Sequence, residues 1–512
     1  MNSLRRTAAH TFMFMAALTL ISKLLGFIRE MIMANFYGTS YIVDAYVMAT
    51  TIPSIIFGGI FGAVAIAYMP TYSKIHRKDG ETGSNKFTSQ VINIIVILSI
   101  IASLIGIFLS DQIVQIFASG FEGETAKLTS FFVKITFTYV VFTATGNILG
   151  SYLNYKGIFL KPIIAGYFQN LAVIVVIIIS SFSTHYILAL GMLIGAGLRL
   201  IYLFIISTKA GYKYTPSFSF NKTVRSIIGL AIPVFIGTYI DQINTFVDKT
   251  LASRLPEGSV AALNYGMILV GLFTGLTVTL LVTMIYPRIT KASTNEDWAD
   301  FNDVIEKGMN VIIIISVPIS FGIIAFSDEV VQIVYERGAF DAFATGITAG
   351  AFFYYGIGLV FFSLNALFVK IFYSLHNTKV SIICAGLSVI INVSLDFLLI
   401  GPMAQDGLAL ATSIAASVNT LLLYYWIKYK YPQIRIMKSK RKMAKIVSSA
   451  AIAVGFAYLT NWLLTSNIWM PRMMYIGSSV IVAVLMYYVL LRIFKIDETK
   501  LIGQVFRKPD TK

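Results

Sequence analysis

Fourteen apolar runs follow one another along this chain, near 11–36, 41–69, 88–117, 128–153, 162–182, 186–207, 226–253, 259–286, 308–326, 345–372, 380–400, 407–427, 446–464 and 473–494. A helix rises ~1.5 Å per residue, so a run of roughly 20 residues covers the ~30 Å hydrocarbon core of a bilayer. In lipid the backbone of such a run must satisfy its own hydrogen bonds, which makes it helical. With 57% hydrophobic and 12% charged residues, the chain is expected to be an all-α integral membrane protein of 14 transmembrane helices. An ordinary soluble domain is excluded. The first run carries Lys23, Arg29 and Glu30 and lacks a small-residue cleavage site, so it reads as a retained span and not a signal peptide.

Charge placement orients the spans. Of 40 Lys and Arg, 31 fall on the side holding both termini and the even-to-odd loops. Only Lys127, Arg254, Arg337 and Arg472 fall on the other side. That asymmetry is the positive-inside pattern, so N- and C-termini are expected in the cytoplasm. The net charge of +16 therefore belongs to membrane electrostatics. The basic cluster from Lys428 to Lys445 would lie against the anionic inner leaflet, and no nucleic-acid partner is implied. The lone Cys384 excludes a disulfide and a cysteine-based metal site.

An internal repeat sets the organisation. Ser110-Asp111-Gln112-Ile113-Val114-Gln115-Ile116 returns 217 residues later as Ser327-Asp328-Glu329-Val330-Val331-Gln332-Ile333. Pro70-Thr71-Tyr72-Ser73-Lys74 returns as Pro287-Arg288-Ile289-Thr290-Lys291 at the same offset. Asn147, Tyr155 and Lys161 are echoed one residue out of step by Asn365, Tyr373 and Lys379. Two pseudo-symmetric six-helix lobes follow, related by an axis along the membrane normal, as in parallel-repeat transporters. The expected division is 1–221 for the first lobe and 222–430 for the second. A basic cytoplasmic linker at 431–445 precedes two C-terminal helices and a tail at 446–512.

Charges inside the spans ask for a reason, because each costs roughly 2.5–3.5 kcal/mol at the bilayer centre. The first span holds Lys23, Arg29 and Glu30, and the second opens with Asp44. Two readings stand. These groups pair with one another to hold two helices together, or they line a basic, watery cavity that attracts a phosphate-bearing substrate. A second constellation is acidic. Asp248 precedes the outer turn near Pro256 by eight residues; Asp396 and Thr412 flank the next-but-one outer turn by about eight residues each. These three share one depth, ~12 Å below the outer ends. Asn392 sits one turn from Asp396 on the same face. Such hard oxygen donors suit an alkali or alkaline-earth cation, or they form an interhelical hydrogen-bond network with Lys249 neutralising Asp248. No hydrolase or nucleotide-binding motif occurs and no loop is long enough for a catalytic domain, so an enzyme is not expected.

Several segments carry a resemblance. Ser22-Lys23-Leu24-Leu25-Gly26-Phe27-Ile28-Arg29-Glu30, Asp44-Ala45-Tyr46 and Ile52-Pro53 resemble the opening signature of the MurJ (MviN) family of lipid II flippases. Tyr335-Glu336-Arg337-Gly338-Ala339-Phe340, Phe372 to Lys379 and Gly407-Leu408-Ala409-Leu410-Ala411-Thr412 look like further signatures of it, in order, from about residue 20 to 425. The resemblance implies the multidrug/oligosaccharidyl-lipid/polysaccharide exporter fold, with two extra helices helping to form a lipid-facing groove. It implies a multi-pass protein of the bacterial cytoplasmic membrane that works as a single chain. Its substrate is an undecaprenyl-pyrophosphate-linked peptidoglycan precursor, moved between leaflets by alternating access without ATP. The substrate-binding residues so implied are Lys23 (where the family has an arginine), Arg29, Glu30 and Asp44. Sodium is the one cofactor implied, at Asp248, Asn392, Asp396, the Leu408 carbonyl and Thr412.

The chain departs from that pattern at three places. Phe57, Phe61 and Ile268 stand where the family carries an arginine, a glutamate and an arginine. They leave two alternatives open: a flippase for another lipid-linked oligosaccharide, or a cation-coupled exporter of amphipathic drugs.

Overall fold

The computed structural model describes residues 2–218, 222–436, 440–467 and 472–496. The lobe boundary expected at Asn221, positions 437–439 of the basic linker and the tail beyond Ile496 lie outside the described residues. Regular structure among the described residues is helical. The helices are α1 (Asn2–Tyr37), α2 (Tyr41–Pro53), α3 (Gly59–Phe108), α4 (Ser110–Phe117), α5 (Gly123–Tyr155), α6 (Leu160–Ser181), α7 (Leu188–Lys209) and α8 (Lys222–Ala252). They continue as α9 (Ser259–Leu276), α10 (Val278–Thr294), α11 (Trp298–Tyr335), α12 (Ala342–Ser374), α13 (Thr378–Lys430), α14 (Lys440–Asn467) and α15 (Arg472–Ile493). Among the described residues, nine helical stretches are long and apolar enough to cross a membrane.

Two of those stretches are much longer than a bilayer, and both fold back on themselves. A straight helix the length of α13 (53 residues) would span ~80 Å. Instead Ser388 Oγ donates to the Ala415 carbonyl at 2.8 Å, across 27 residues. The reversal comes at Ala404, at φ 50° and ψ −131°, directly after Gly401 and Pro402. That is the midpoint from which Asp396 and Thr412 are each eight residues distant. In α3 the reversal is at Gly80 (φ 64°), and Tyr68 and Thr88 bond through their hydroxyls at 2.7 Å across the resulting hairpin.

The apolar run at 88–117 is not one helix. It ends at Phe108; Leu109 leaves helical geometry (φ −104°, ψ 19°), and Ser110–Phe117 forms the separate short helix α4. Ser130 Oγ fixes that break by bonding Ser110 Oγ at 2.9 Å and the Asp111 carboxylate. Position 326, which is Leu109 plus 217, breaks in the same way: Phe326 lies at φ −134°, ψ 29° inside α11. The run at 259–286 is likewise divided at Thr277. In the first half a π-helical turn, Ser54–Gly58, interrupts the corresponding helix after Pro53. The repeat thus extends from sequence to the positions where helices bend.

The chain forms two compact units, Met1–Ala261 with Arg337–Ala344, and Ala262–Glu336 with Thr345–Lys512. In the first, α3 packs on α5, α5 on α7, and α6 on α1 and α7. Its core is rich in tyrosine, with Tyr68, Tyr72, Tyr152 and Tyr212 buried among Phe87, Ile148 and Leu203. Side chains of α3 strap down the segment after α7. Asn85 donates to the Gly211 carbonyl at 3.0 Å, Ser89 meets both the Tyr212 hydroxyl and the Thr215 amide at 3.0 Å, and Gln90 and Asn93 hold Ser217. In the second unit, Phe301, Ile305, Phe368, Phe372, Leu423 and Ile427 form the core, and Ile446, Ala450 and Leu491 seat α14 and α15 on it.

Candidate transport site

Helix α1 brings three charges into the first unit. Gly26 faces α6, where a Cβ would meet the Asn170 side-chain oxygen at 3.9 Å, an ordinary contact. One turn on, Arg29 reaches the same residue, Nη1 donating to Asn170 Oδ1 at 3.2 Å. The guanidinium also grips Glu30, with Nε 3.0 Å from Oε1 and Nη2 closer still. Glu30 is buried, 9% exposed. Lys23 is seven residues before Glu30, almost two full turns, and so lies on Glu30's face of the helix, ~10 Å along it. Its side chain is exposed.

Asp44 is placed differently. It is 3% exposed, and its carboxylate accepts from the Gly258 and Ala261 amides at 2.7 Å each. Those amides open α9, whose first N–H groups have no partner within the helix. Asp44 therefore caps a helix N-terminus, with its charge on the positive end of the dipole. Next to it the α1–α2 turn is clasped. Gly38 (φ 57°) would drive a Cβ to 2.3 Å from the Ala339 carbonyl, and Gly338 (φ 58°) would drive one to 2.2 Å from the Asn35 carbonyl. The Ala339 amide donates to that Asn35 oxygen at 2.8 Å. The Glu-Arg-Gly-Ala-Phe run is thus a tight turn docked on the end of α1, with Phe340 buried.

The acidic constellation divides between the units. Asn392 and Asp396 are fully buried in α13, and the Asn392 amide nitrogen donates to Asp396 Oδ2 at 2.7 Å. On the returning arm Thr412 Oγ1 donates to the Leu408 carbonyl at 3.0 Å. Asp248 belongs to the first unit, where Asn244 donates to it at 3.2 Å. An Asn-x-x-x-Asp pair therefore occurs in both units, and the spacing of Asn244 was the signal for it. The donor types on α13, a carboxylate, an amide, a hydroxyl and a carbonyl, are all hard oxygen ligands of the kind that suits a sodium ion.

Two of the departures from the family pattern form one object. Phe57 stacks on Phe61 with ring centroids 5.9 Å apart and meets Phe137 edge-on at 5.6 Å. Where the resemblance implies an arginine and a glutamate, this chain has packed aromatics, an exchange that costs little because a buried ion pair spends much of its attraction on desolvation. In the second unit an apolar groove of about 300 Å³ runs between α11, α14 and α15. Pro318, Gly322, Ala453, Ala457 and Ala483 open it, and Tyr487, whose hydroxyl is bonded to the Ile314 carbonyl at 2.9 Å, stands at its side.

The chain is similar to known proteins along most of its length. "Probable lipid II flippase MurJ" of Rickettsia prowazekii (strain Madrid E) is 26% identical over 497 residues, covering 93% of this chain and 95% of its own length. The protein of the same description from Rhizobium meliloti (strain 1021) is 27% identical over 460 residues, covering 87% and 85%. A solved structure, "Lipid II flippase MurJ, inward closed conformation", superposes with a TM-score of 0.82 at 26% identity, over 95% of this chain and 99% of that one. An inward-facing MATE-family transporter of the MOP superfamily shares the fold alone, at 13% identity and a TM-score of 0.68, over 83% of this chain and all of its own. The family model for lipid II flippase MurJ matches residues 33–480, and the chain belongs to that family as a multi-pass protein of the bacterial cytoplasmic membrane.

Proposed function

We propose that the chain is a transporter, not an enzyme, that carries lipid II from the inner to the outer leaflet by alternating access. The observation that carries this reading is Arg29, a cation set within a span and held by Glu30 and Asn170. A partly buried guanidinium, oriented by these bonds and still holding uncommitted N–H donors, is suited to a phosphate oxygen. In this account 14 spans form the lobes 1–221 and 222–430, with the last two spans (α14 and α15) appended and both termini cytoplasmic. Lys23 first attracts the headgroup, and Arg29 and Glu30 orient it. Asp44 closes the outer end by capping α9. The prenyl tail stays in lipid and rests against the groove at α14 and α15.

Sodium at Asp248, Asn392, Asp396, Leu408 and Thr412 would bias the balance of inward and outward states through its differential affinity for them. An inside-negative potential adds ~2.3 kcal/mol per charge at 100 mV toward outward movement of the anion. The chain acts alone among membrane lipids, with no nucleic-acid partner. The Phe57–Phe61 stack favours one second reading, a lipid-linked saccharide other than lipid II.

Complementation tests the proposal. In a strain depleted of its lipid II flippase, the parent chain should restore growth. Arg29→Ala should reach the membrane in normal amount and fail to restore it. Full rescue by that variant would remove Arg29 from the transport path.

A further inference from the structure

Lys249 behaves unlike a lysine placed for solubility or anchoring. It lies three residues from the end of α8 that leads into the turn before α9. A lysine near a helix end usually turns its ammonium toward the nearby water. Here Nζ donates to Thr51 Oγ1 at 2.8 Å. Thr51 is seven residues beyond Asp44 on α2, and Asp44 is level with the start of α9 through its bonds to Gly258 and Ala261. The ammonium therefore points ~10 Å inward from that turn, in the direction in which helical side chains lean, toward their own N-terminus. No carboxylate of the described residues lies within ion-pair distance of it. The carboxylates that bear on it electrostatically are Glu30 and Asp248, and Glu30 is already gripped by Arg29.

Arg29 and Lys249 both draw on Glu30, Asp248 acts on Lys249 from the preceding position of α8 without an ion-pair contact, and Asp44 is spent on the α9 amides. A cation kept inside a membrane protein with one hydroxyl as its hydrogen-bond partner and no carboxylate at ion-pair distance is costly. An anionic ligand would offset that cost. The chain also lacks the cations that the family pattern would place at 57 and 268. We infer that Lys249, positioned by Thr51, is a further substrate-binding cation of this transporter and contacts the diphosphate alongside Arg29. Its ammonium is a compact point charge with three donors, one held by Thr51 and two to give a phosphate oxygen.

This inference rests on the lipid-diphosphate reading above, and the test separates the two. Undecaprenyl diphosphate and the uncharged undecaprenol would be titrated into the purified full chain in nanodiscs. The parent should bind the diphosphate far more tightly than the alcohol. Lys249→Met should weaken diphosphate binding at least tenfold, leave undecaprenol binding unchanged, and raise the melting temperature of the ligand-free protein. Lys249→Arg should stay within about threefold of the parent, and Thr51→Val should lose several-fold. If the parent and Arg29→Ala bind both lipids equally, the transport reading fails and this inference with it. If Arg29→Ala loses diphosphate binding while folded Lys249→Met keeps it within twofold, the role of Lys249 alone is overturned. A melting temperature that falls in Lys249→Met with affinity intact would make the lysine a structural partner of Glu30.

Discussion

The two halves break their helices at equivalent points yet fill the contact beside each break in opposite ways. Ser103 Oγ donates to the Phe137 carbonyl at 2.8 Å, and Ser320, 217 residues on, donates to the Gly356 carbonyl at 2.7 Å. Three residues after each serine the side chains exchange sizes. In the first half Gly106 faces the ring of Phe137, and a Cβ there would lie 1.8 Å from it. In the second half Ile323 occupies the position of Gly106 and Gly356 makes room for it. Duplication preserved the backbone and its hydrogen bond while the bulk moved from one helix to the other. The chemistry diverged further. Arg29 and Glu30 lie in the first half, and the buried Asn392–Asp396 pair and the apolar groove in the second. A repeat constrains where helices run, not what they carry.

The contact at Gly106 offers the harshest test of that comparison. Gly106→Ile alone should strip the protein from the membrane or lower its melting temperature sharply, since overpacking of this kind costs 1–3 kcal/mol or more. Adding Phe137→Ala, which transplants the arrangement of the second half, should recover more than half of the loss. If the double variant melts no higher than the single, the two contacts are not interchangeable solutions to one packing problem.

The next effect concerns the acidic pairs. At equal ionic strength, sodium should raise the melting temperature of the parent relative to choline, since an ion at a hundredfold excess over its Kd stabilises by about 2.7 kcal/mol. Asp396→Asn should abolish that difference and leave the choline melting temperature close to the parent's. An undiminished sodium shift would move the cation elsewhere.

Smaller again is the strap across the segment after α7. Ser89→Ala removes contacts to Tyr212 and Thr215, each worth about 1 kcal/mol net. Proteolysis between Lys209 and Lys222 should accelerate before any change in melting temperature. An unchanged cleavage rate would show that the strap does not hold that segment.

The surface ion pairs should matter least. Lys156 bonds Glu81 at 2.8 Å and holds its carboxyl below its ordinary value of 4.5. Arg288 does the same for Asp300 in the second half. A carboxyl with a lowered folded-state pKa stabilises above its ordinary pKa and loses that contribution as the pH falls through the folded value. Glu81→Gln should flatten only the acid limb of the stability profile, by little, because both partners meet solvent. A change near neutral pH would mean that the pair does more than this.

How much of this was legible beforehand varies with the kind of interaction. The helical class and the turn midway between Asp396 and Thr412 are legible, because apolar length and residue spacing convert directly into distance along a helix, and the reversal at Ala404 falls midway between the two residues. The break at Leu109 was hidden, since an apolar run continues through it, although Ser110-Asp111 carried the helix-start chemistry. Asp44 read as one more embedded charge, and its bonds to the Gly258 and Ala261 amides depend on a fold that brings positions over 200 residues apart together. For the same reason Asn170 beneath Arg29, Thr51 beneath Lys249 and the Phe57–Phe61 stack belong to tertiary packing and left no periodic trace. Asn244 is within reach of the sequence, as it precedes Asp248 at the same Asn-x-x-x-Asp spacing that Asn392 and Asp396 show.

The central claim is that an anion path lined by Arg29 lets this chain move a lipid-linked diphosphate between leaflets. Proteoliposomes loaded with fluorescent lipid II, with the outer-leaflet fraction read by a membrane-impermeant quencher, measure it directly. The account predicts time-dependent transfer by the parent and none above protein-free vesicles by Arg29→Ala. Equal transfer by the two proteins would contradict it.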